Sequence, residues 1–164
     1  MTEHEQQVTR VFEESREDVY RYLCTLGLPP PQAQESAQEA FLRLYTSLQR
    51  GDAIQNMRAW VFRVAHNHAL DTLARERLNP LEPGLEAILR DPGRGVEMDL
   101  IEREKMEHLG KAWVMLSPQQ QQCLHLRAEG LRYREIAETL KISISTVREF
   151  LTRGITRLQR AFYE

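Results

Sequence analysis

The stretch from Leu131 to Arg157, LRYREIAETLKISISTVREFLTRGITR, decides the fold. It reads as a helix, a three-residue turn and a second helix, the arrangement that sets one helix into a DNA major groove. Ile136, Ala137 and Leu140 form an apolar stripe on the first helix, and Lys141-Ile142-Ser143 makes the turn. Ser143 stands at the N-cap, where its hydroxyl can accept a backbone N–H from the first turn of the next helix. On that helix Val147, Leu151, Gly154 and Leu158 recur at the spacing of one buried face. Ser145, Arg148, Glu149 and Thr152 fall on the opposite face, with Arg153 at its edge. A polar, arginine-bearing face behind a buried stripe suits groove reading. An ordinary amphipathic helix pair in a bundle would carry the same stripe.

The charge distribution points the same way. The 164 residues carry a net charge of −2, unusual for a chain that binds DNA. Residues 111–164, however, hold nine basic side chains against five acidic ones, a net +4, and the acidic excess lies elsewhere. So modest a positive charge releases few counterions, so this segment should bind DNA weakly by itself. A partner that brings it to DNA, or dimerisation, would make up the difference. With 41% hydrophobic residues the chain can build one medium domain or two small ones. No apolar run approaches the eighteen or so residues a membrane span needs, so no membrane insertion is expected. The polar N-terminus MTEHEQQVTR does not resemble a signal peptide. Cys24 and Cys123 lie far apart with no CxxC pair, which fits reduced thiols in a cytoplasmic protein and no cysteine zinc site.

Working back from the decisive stretch, the pattern is helical throughout, and no run of period two suggests a strand. One helix is expected from about residue 6 to Leu26, with Val8, Val11, Phe12, Val19, Leu23 and Leu26 inside, closed by Gly27 and the Pro29-Pro30-Pro31 break. A second runs from about Gln32 to Leu48, burying Ala33, Ala37, Phe41, Leu44 and Leu48. A third covers about Met57 to Arg77, with Trp60, Val61, Val64, Ala65 and Leu73 as its apolar set. Residues 79–97 hold three prolines and three glycines and break every periodicity, as a flexible linker does, with room for one helical turn at Leu85–Leu89. A fourth helix is expected from about Met98 to Leu116, carrying Met98, Ile101, Leu109, Ala112, Trp113 and Leu116. Ser117-Pro118 then reads as N-cap and first helical residue of a short helix ending at Gly130.

Two further surfaces carry chemistry. On the third helix Arg63, Asn67 and Asp71 share a polar face at i, i+4 and i+8, and Asn and Arg are the side chains that read base edges and grip phosphate. On the second, Glu35, Gln38 and Glu39 make an exposed acidic ridge beside Phe41, which suits a basic protein partner better than DNA. His66 and His68 point about 200° apart on their helix and cannot share a metal ion. No metal or cofactor is expected, and no Ser/His/Asp set, paired carboxylates or glycine-rich phosphate loop suggests an enzyme. Trp60 is assigned to the core rather than to stacking on a base.

Together and in this order, these segments resemble a small bacterial sigma factor of the extracytoplasmic-function group of the sigma-70 family. Glu35 to Leu44 is similar to that family's acidic-Gln-acidic-x-Phe segment, and Arg58 to Asp71 to its Arg-Ala-Trp-Leu-Phe-x-x-Ala-x-Asn-x-x-x-Asp segment. Ser117-Pro118 with the helix-turn-helix is similar to its fourth domain. The resemblance implies an all-α fold of two small helical domains on a flexible linker. A three-helix domain would span residues 6–77, a linker 78–104 and a helix-turn-helix domain 105–163. It implies a dissociable RNA polymerase subunit that directs promoter-specific initiation, with core polymerase and promoter DNA as partners and an anti-sigma factor as a further candidate. Polymerase contacts would fall on Glu35, Gln38 and Glu39, and the minus-ten element on Asn56, Arg58, Arg63, Asn67 and Asp71. The minus-thirty-five element would meet Ser145, Thr146, Arg148, Glu149, Thr152 and Arg153.

Where the family often has a basic residue, this chain has Phe150, which widens the apolar stripe instead. Its turn carries Lys141 where glycine is common, at a position favouring positive φ. Glu149 can accept from cytosine N4 but repels phosphate. His66 sits at a spot often basic in the family, which puts it near DNA. A sigma-like decoy that occupies an anti-sigma factor, and a helix-turn-helix regulator independent of polymerase, are the alternative functions.

Overall fold

A computed structural model describes residues 1–76 and 99–163, which form seven α-helices and no strand. The expected linker turn at Leu85–Leu89 and the end of the third helix at Arg77 lie outside these residues. The chain divides into two compact units, Met1–Glu82 and Pro83–Glu164.

In the first unit, α1 (Glu3–Thr25) begins at Thr2, whose hydroxyl accepts from Glu5 N–H at 3.2 Å while the Glu5 carboxylate accepts from Thr2 N–H at 2.8 Å. This reciprocal cap satisfies two donors that the first turn leaves open. The three prolines do not lie outside the helices as expected. Pro29 is the N-cap of α2 (Pro30–Gln49), and Pro30 and Pro31 fill its first turn, where a missing N–H costs nothing. The Asn56 side chain caps α3 (Met57–Arg75), accepting from Ala59 N–H at 3.1 Å.

The three helices pack pairwise around Val19, Leu23, Leu44, Val61 and Phe62, all buried. The buried face of α3 is rotated from the expected one. Ala59, Val61, Phe62, Ala65, His66, Ala69 and Thr72 are buried, whereas Trp60, Val64 and Leu73 are only half-buried. α3 touches both α1 and α2, and Ala59, Ala65 and Ala69 are among its buried residues. Tyr22, absent from the expected core, is fully buried and meets Phe62 edge-on with ring centroids 5.7 Å apart.

In the second unit, α4 (Leu100–Val114) opens on Asp99, whose carboxylate accepts from Glu102 N–H at 2.8 Å. Its first turn does not join the core. Leu100 is 70% exposed and Ile101 65% exposed, so Ile101 leaves the expected apolar set; Met98 lies outside the described residues. Further along, Trp113 and Leu116 are buried among Leu109, Leu124 and Leu158. α5 (Pro118–Ala128) begins at Ser117, which forms a reciprocal cap with Gln120. α6 (Tyr133–Leu140) and α7 (Ile144–Tyr163) complete the unit, and α7 packs against all three other helices.

The turn between α6 and α7 hinges on Lys141, in the left-handed region at φ 58° and ψ 45°. Its N–H and that of Ile142 both reach the Ala137 carbonyl, the latter at 3.1 Å, ending α6 sharply. Ser143 then caps α7, its hydroxyl accepting from Thr146 N–H at 3.1 Å. Val147 and Leu151 are buried, and Gly154 lies against Leu124, where a Cβ would stand 2.9 Å from Leu124 Cδ1. A Cβ there fits only if the end of the Leu124 side chain shifts, so the position favours a small residue where α7 meets α5.

Candidate nucleic-acid interface

The cap at Ser143 orients the outer face of α7. Ser145, Arg148, Glu149, Thr152 and Arg153 are all exposed along it. Thr146 is half-buried, and its hydroxyl lies 2.8 Å from the Ser143 hydroxyl, so it belongs to the cap network more than to the outer face. Glu149 and Arg153 form an ion pair at 2.7 Å across one helical turn. An exposed pair of this kind adds little stability, yet it balances the Glu149 carboxylate on the outer face of α7. Arg148 is exposed on this face, and no ion pair of it is found among the described residues. Its guanidinium fork suits two acceptors on a guanine edge.

In the first unit, Arg63 and Asn67 are half-buried and Asp71 is exposed, one turn apart on α3. Asn56 is exposed, with its side-chain oxygen engaged in the α3 cap. Arg58 is turned inward. Its guanidinium lies 3.2 Å from the Asp18 carboxylate and donates to Ser15 Oγ at 3.1 Å, 5.0 Å over the Phe62 ring. It straps α3 to α1. His66 also departs from the expected DNA-proximal position. It is buried, and its Nδ1 is hydrogen-bonded to the Tyr22 hydroxyl at 2.8 Å, filling a polar niche of the core. His68 reaches a different helix, with Nδ1 2.8 Å from Ser36 Oγ.

On α2, Glu35 and Gln38 are exposed, and Glu39 pairs with Arg43 at 3.0 Å. Beside Gln38 lies a hollow of about 530 Å³ between α1 and α2, lined by Val8, Phe12, Phe41, Leu42 and Tyr45. Leu42 is 62% exposed at its rim, an apolar contact that the periodicity of α2 concealed, because exposed positions are read as polar. Gln38 of the acidic ridge thus also lines a mostly apolar recess, with Glu5 of α1 at its wall.

No group of three or more His, Cys, Asp or Glu among the described residues is placed to hold a metal ion. Burial raises the Cys24 thiol above its usual range and pushes Cys123 up to about 11, so both stay protonated and weakly nucleophilic at neutral pH. Among the described residues no helix is long and apolar enough to cross a membrane.

Comparison with known proteins gives these surfaces a context. Residues 11–78 match the family model for Sigma-70 region 2, and residues 109–158 match that for Sigma-70, region 4. Among curated proteins, the chain is 22% identical over 153 residues to the ECF RNA polymerase sigma factor SigK of Mycolicibacterium vanbaalenii, covering 91% of this chain and 78% of that one. It is 28% identical over 154 residues to the ECF RNA polymerase sigma factor SigE of Mycolicibacterium smegmatis, covering 86% of this chain but only 56% of the relative. Among solved structures, it is similar to the sigma factor RpoE of Bartonella quintana, crystallised with the anti-sigma factor NepR, with a TM-score of 0.65, 18% identity and coverage of 97% and 96%. CnrH in complex with the cytosolic domain of CnrY aligns with a TM-score of 0.60 and 17% identity, covering 95% of this chain and 87% of that one.

Proposed function

The chain belongs to the extracytoplasmic-function group of the sigma-70 family, an RNA polymerase sigma factor, and we propose how its surfaces divide the work of promoter recognition. The three-helix unit docks on core polymerase through Glu35, Gln38 and Glu39 and lays Arg63, Asn67 and Asp71 along the minus-ten element. Asn56 and Arg58 serve that face by position, one fixing the start of α3 and the other strapping it to α1. The helix-turn-helix unit sets α7 into the major groove of the minus-thirty-five element. There Arg148 is the direct reader, Ser145 and Thr152 flank it, and Arg153 and Glu149 act as a pair. Thr146 keeps the helix start in place.

Neither grip need be strong. Once polymerase holds both units, engagement of one raises the effective concentration of the other, so two weak contacts multiply into selective binding. The bond-forming chemistry belongs to the polymerase. A cytoplasmic site of action and control by an anti-sigma factor complete the reading; a complex of that kind is described for RpoE with NepR.

The observation that carries the proposal is the pairing of surface with family match. The acidic ridge and the α3 face lie in the residues matching region 2, and the arginine-bearing face of α7 lies in those matching region 4. Run-off transcription with purified core polymerase and a library of genomic promoter fragments tests it. Transcripts with defined starts that depend on this chain are expected; no such transcript from any template would overturn it.

A further inference from the structure

The face of α4 opposite Leu109 and Trp113 is exposed from end to end. It starts with Leu100 and Ile101, 70% and 65% exposed, and finishes with Val114 and Met115, 65% and 69% exposed. Between these apolar ends stand Glu104, Glu107, His108 and Lys111, all exposed. At 3.6 residues per turn the whole set falls within an arc of about 140°. Two apolar pairs on one stripe, with charges between them, mark an interaction surface. We propose that this face pairs with the same face of a second copy of the chain, antiparallel, to form a weak dimer. The inference goes beyond promoter recognition and concerns the chain before any polymerase or DNA is bound.

The order of the side chains carries it. Turned about a point between Glu107 and His108, the stripe matches itself. Leu100 falls opposite the second copy's Met115, Ile101 opposite its Val114, Glu104 opposite its Lys111 and Glu107 opposite its His108. Apolar therefore meets apolar, and each carboxylate meets a side chain that can donate an N–H. A two-fold axis repeats every one of these contacts. Parallel pairing would set Glu104 against Glu104 and Lys111 against Lys111, so the match exists in one orientation only. No ion pair of Glu104, Glu107 or Lys111 is found among the described residues, although Glu107 and Lys111 stand one turn apart. The stripe is also fixed at both ends. Asp99 and Glu102 cap the start of α4 reciprocally, and the Met115 carbonyl accepts from Arg157 Nη1 at 3.2 Å. Pairing then orders side chains and little backbone, which lowers its entropic cost. The stripe runs about 22 Å along the helix. Its few side chains fall well short of the roughly 20–30 residues per side of a standard interface, so the dimer is weak. A helix of another protein could match the apolar ends, but the self-matching order of charges favours a second copy.

Sedimentation equilibrium of the full chain alone, from about 10 µM to about 500 µM, covers the range of so small an interface. A reversible monomer–dimer equilibrium is expected. Glu104→Lys alone and Lys111→Glu alone each place like charges at two symmetric contacts, and each should weaken the dimer by about 10-fold or more. An equimolar mixture of these two variants should associate as tightly as the parent, because a copy with E104K beside a copy with K111E restores both pairs. The double variant, Glu104→Lys with Lys111→Glu, should dimerise like the parent for the same reason. Damage to the fold would persist in the mixture, so this rescue separates lost charge from lost folding. Ile101→Ser should weaken the dimer while leaving the thermal melt unchanged. A monomer at every concentration, a dimer indifferent to the charge variants, or a mixture that fails to associate would each overturn the proposal. Neither DNA nor polymerase enters these measurements, so their failure would leave the promoter reading standing.

Discussion

Replacing Lys141 by glycine should stabilise the helix-turn-helix unit, although lysine is the better helix former. Lys141 sits at φ 58°, where a Cβ crowds the following carbonyl at a cost of roughly 1–2 kcal/mol that glycine does not bear. Against this, glycine gives the unfolded chain more freedom, worth about 0.4–1 kcal/mol. The Lys141 side chain is exposed and no contact of it needs replacing. The net gain should therefore be about 0.5–1 kcal/mol, a rise of about 3–6 °C in the melting temperature of a unit of this size. Thermal denaturation followed by tryptophan fluorescence reads it in a Trp60→Phe background, so that the buried Trp113 reports the second unit alone. Lys141→Ala should change little, and Lys141→Val should destabilise, because a β-branched residue tolerates this backbone worst. A glycine variant that melts at or below the parent would refute the argument that the turn stores strain at this residue.

Gly154→Val should destabilise the same unit by about 2 kcal/mol in urea denaturation, since its side chain must displace Leu124 from a packed contact. Gly154→Ala should be near neutral, because only the mobile end of Leu124 must yield and alanine favours helix. In the first unit, Tyr22→Phe should cost about 1–3 kcal/mol by removing the buried hydroxyl from His66, and a double-mutant cycle with His66→Phe should show the two effects coupled. Arg148→Ala should weaken binding to the minus-thirty-five element by about 1–3 kcal/mol and relax preference at one base position; unchanged occupancy would remove it from the reading face. Cys123 should resist alkylation in the folded chain at pH 8 and react only on unfolding. Its raised pKa also means that folding loses stability as pH climbs above about 9, where the unfolded thiol ionises first.

Local signals carried much of the architecture. Ser117-Pro118 and Ser143 start their helices because caps act within one turn, and the stripe Val147, Leu151, Gly154 and Leu158 faces inward because α7 has a single wide apolar face. Lys141 adopts positive φ because the turn geometry leaves it no alternative. What local pattern could not supply came from tertiary contact. α3 lies against two helices, so small and polar residues such as Ala69, His66 and Thr72 are buried while Trp60 is half-exposed. Arg58 turns toward Asp18, forty positions away, for a reason that no i, i+4 rule contains. Ile101 reads as core in a helical pattern, yet it precedes the part of α4 where Leu109 and Trp113 pack with Leu158 of α7. Polar chemistry on α7 was legible because nothing packs over it; on α3, part of that chemistry holds the unit together.

The most direct test of two weak grips made selective by a shared scaffold compares the free chain with holoenzyme on the same fluorescent DNA. The free chain should bind a minus-thirty-five duplex with micromolar or weaker affinity, barely distinguishing it from scrambled sequence at 0.15 M salt. With core polymerase and both elements present, affinity should rise by about 100-fold or more, and it should fall back when the spacing between the elements is changed by half a helical turn. A free chain that already holds the duplex with the affinity and specificity of the holoenzyme, or a holoenzyme indifferent to that spacing, would contradict the account.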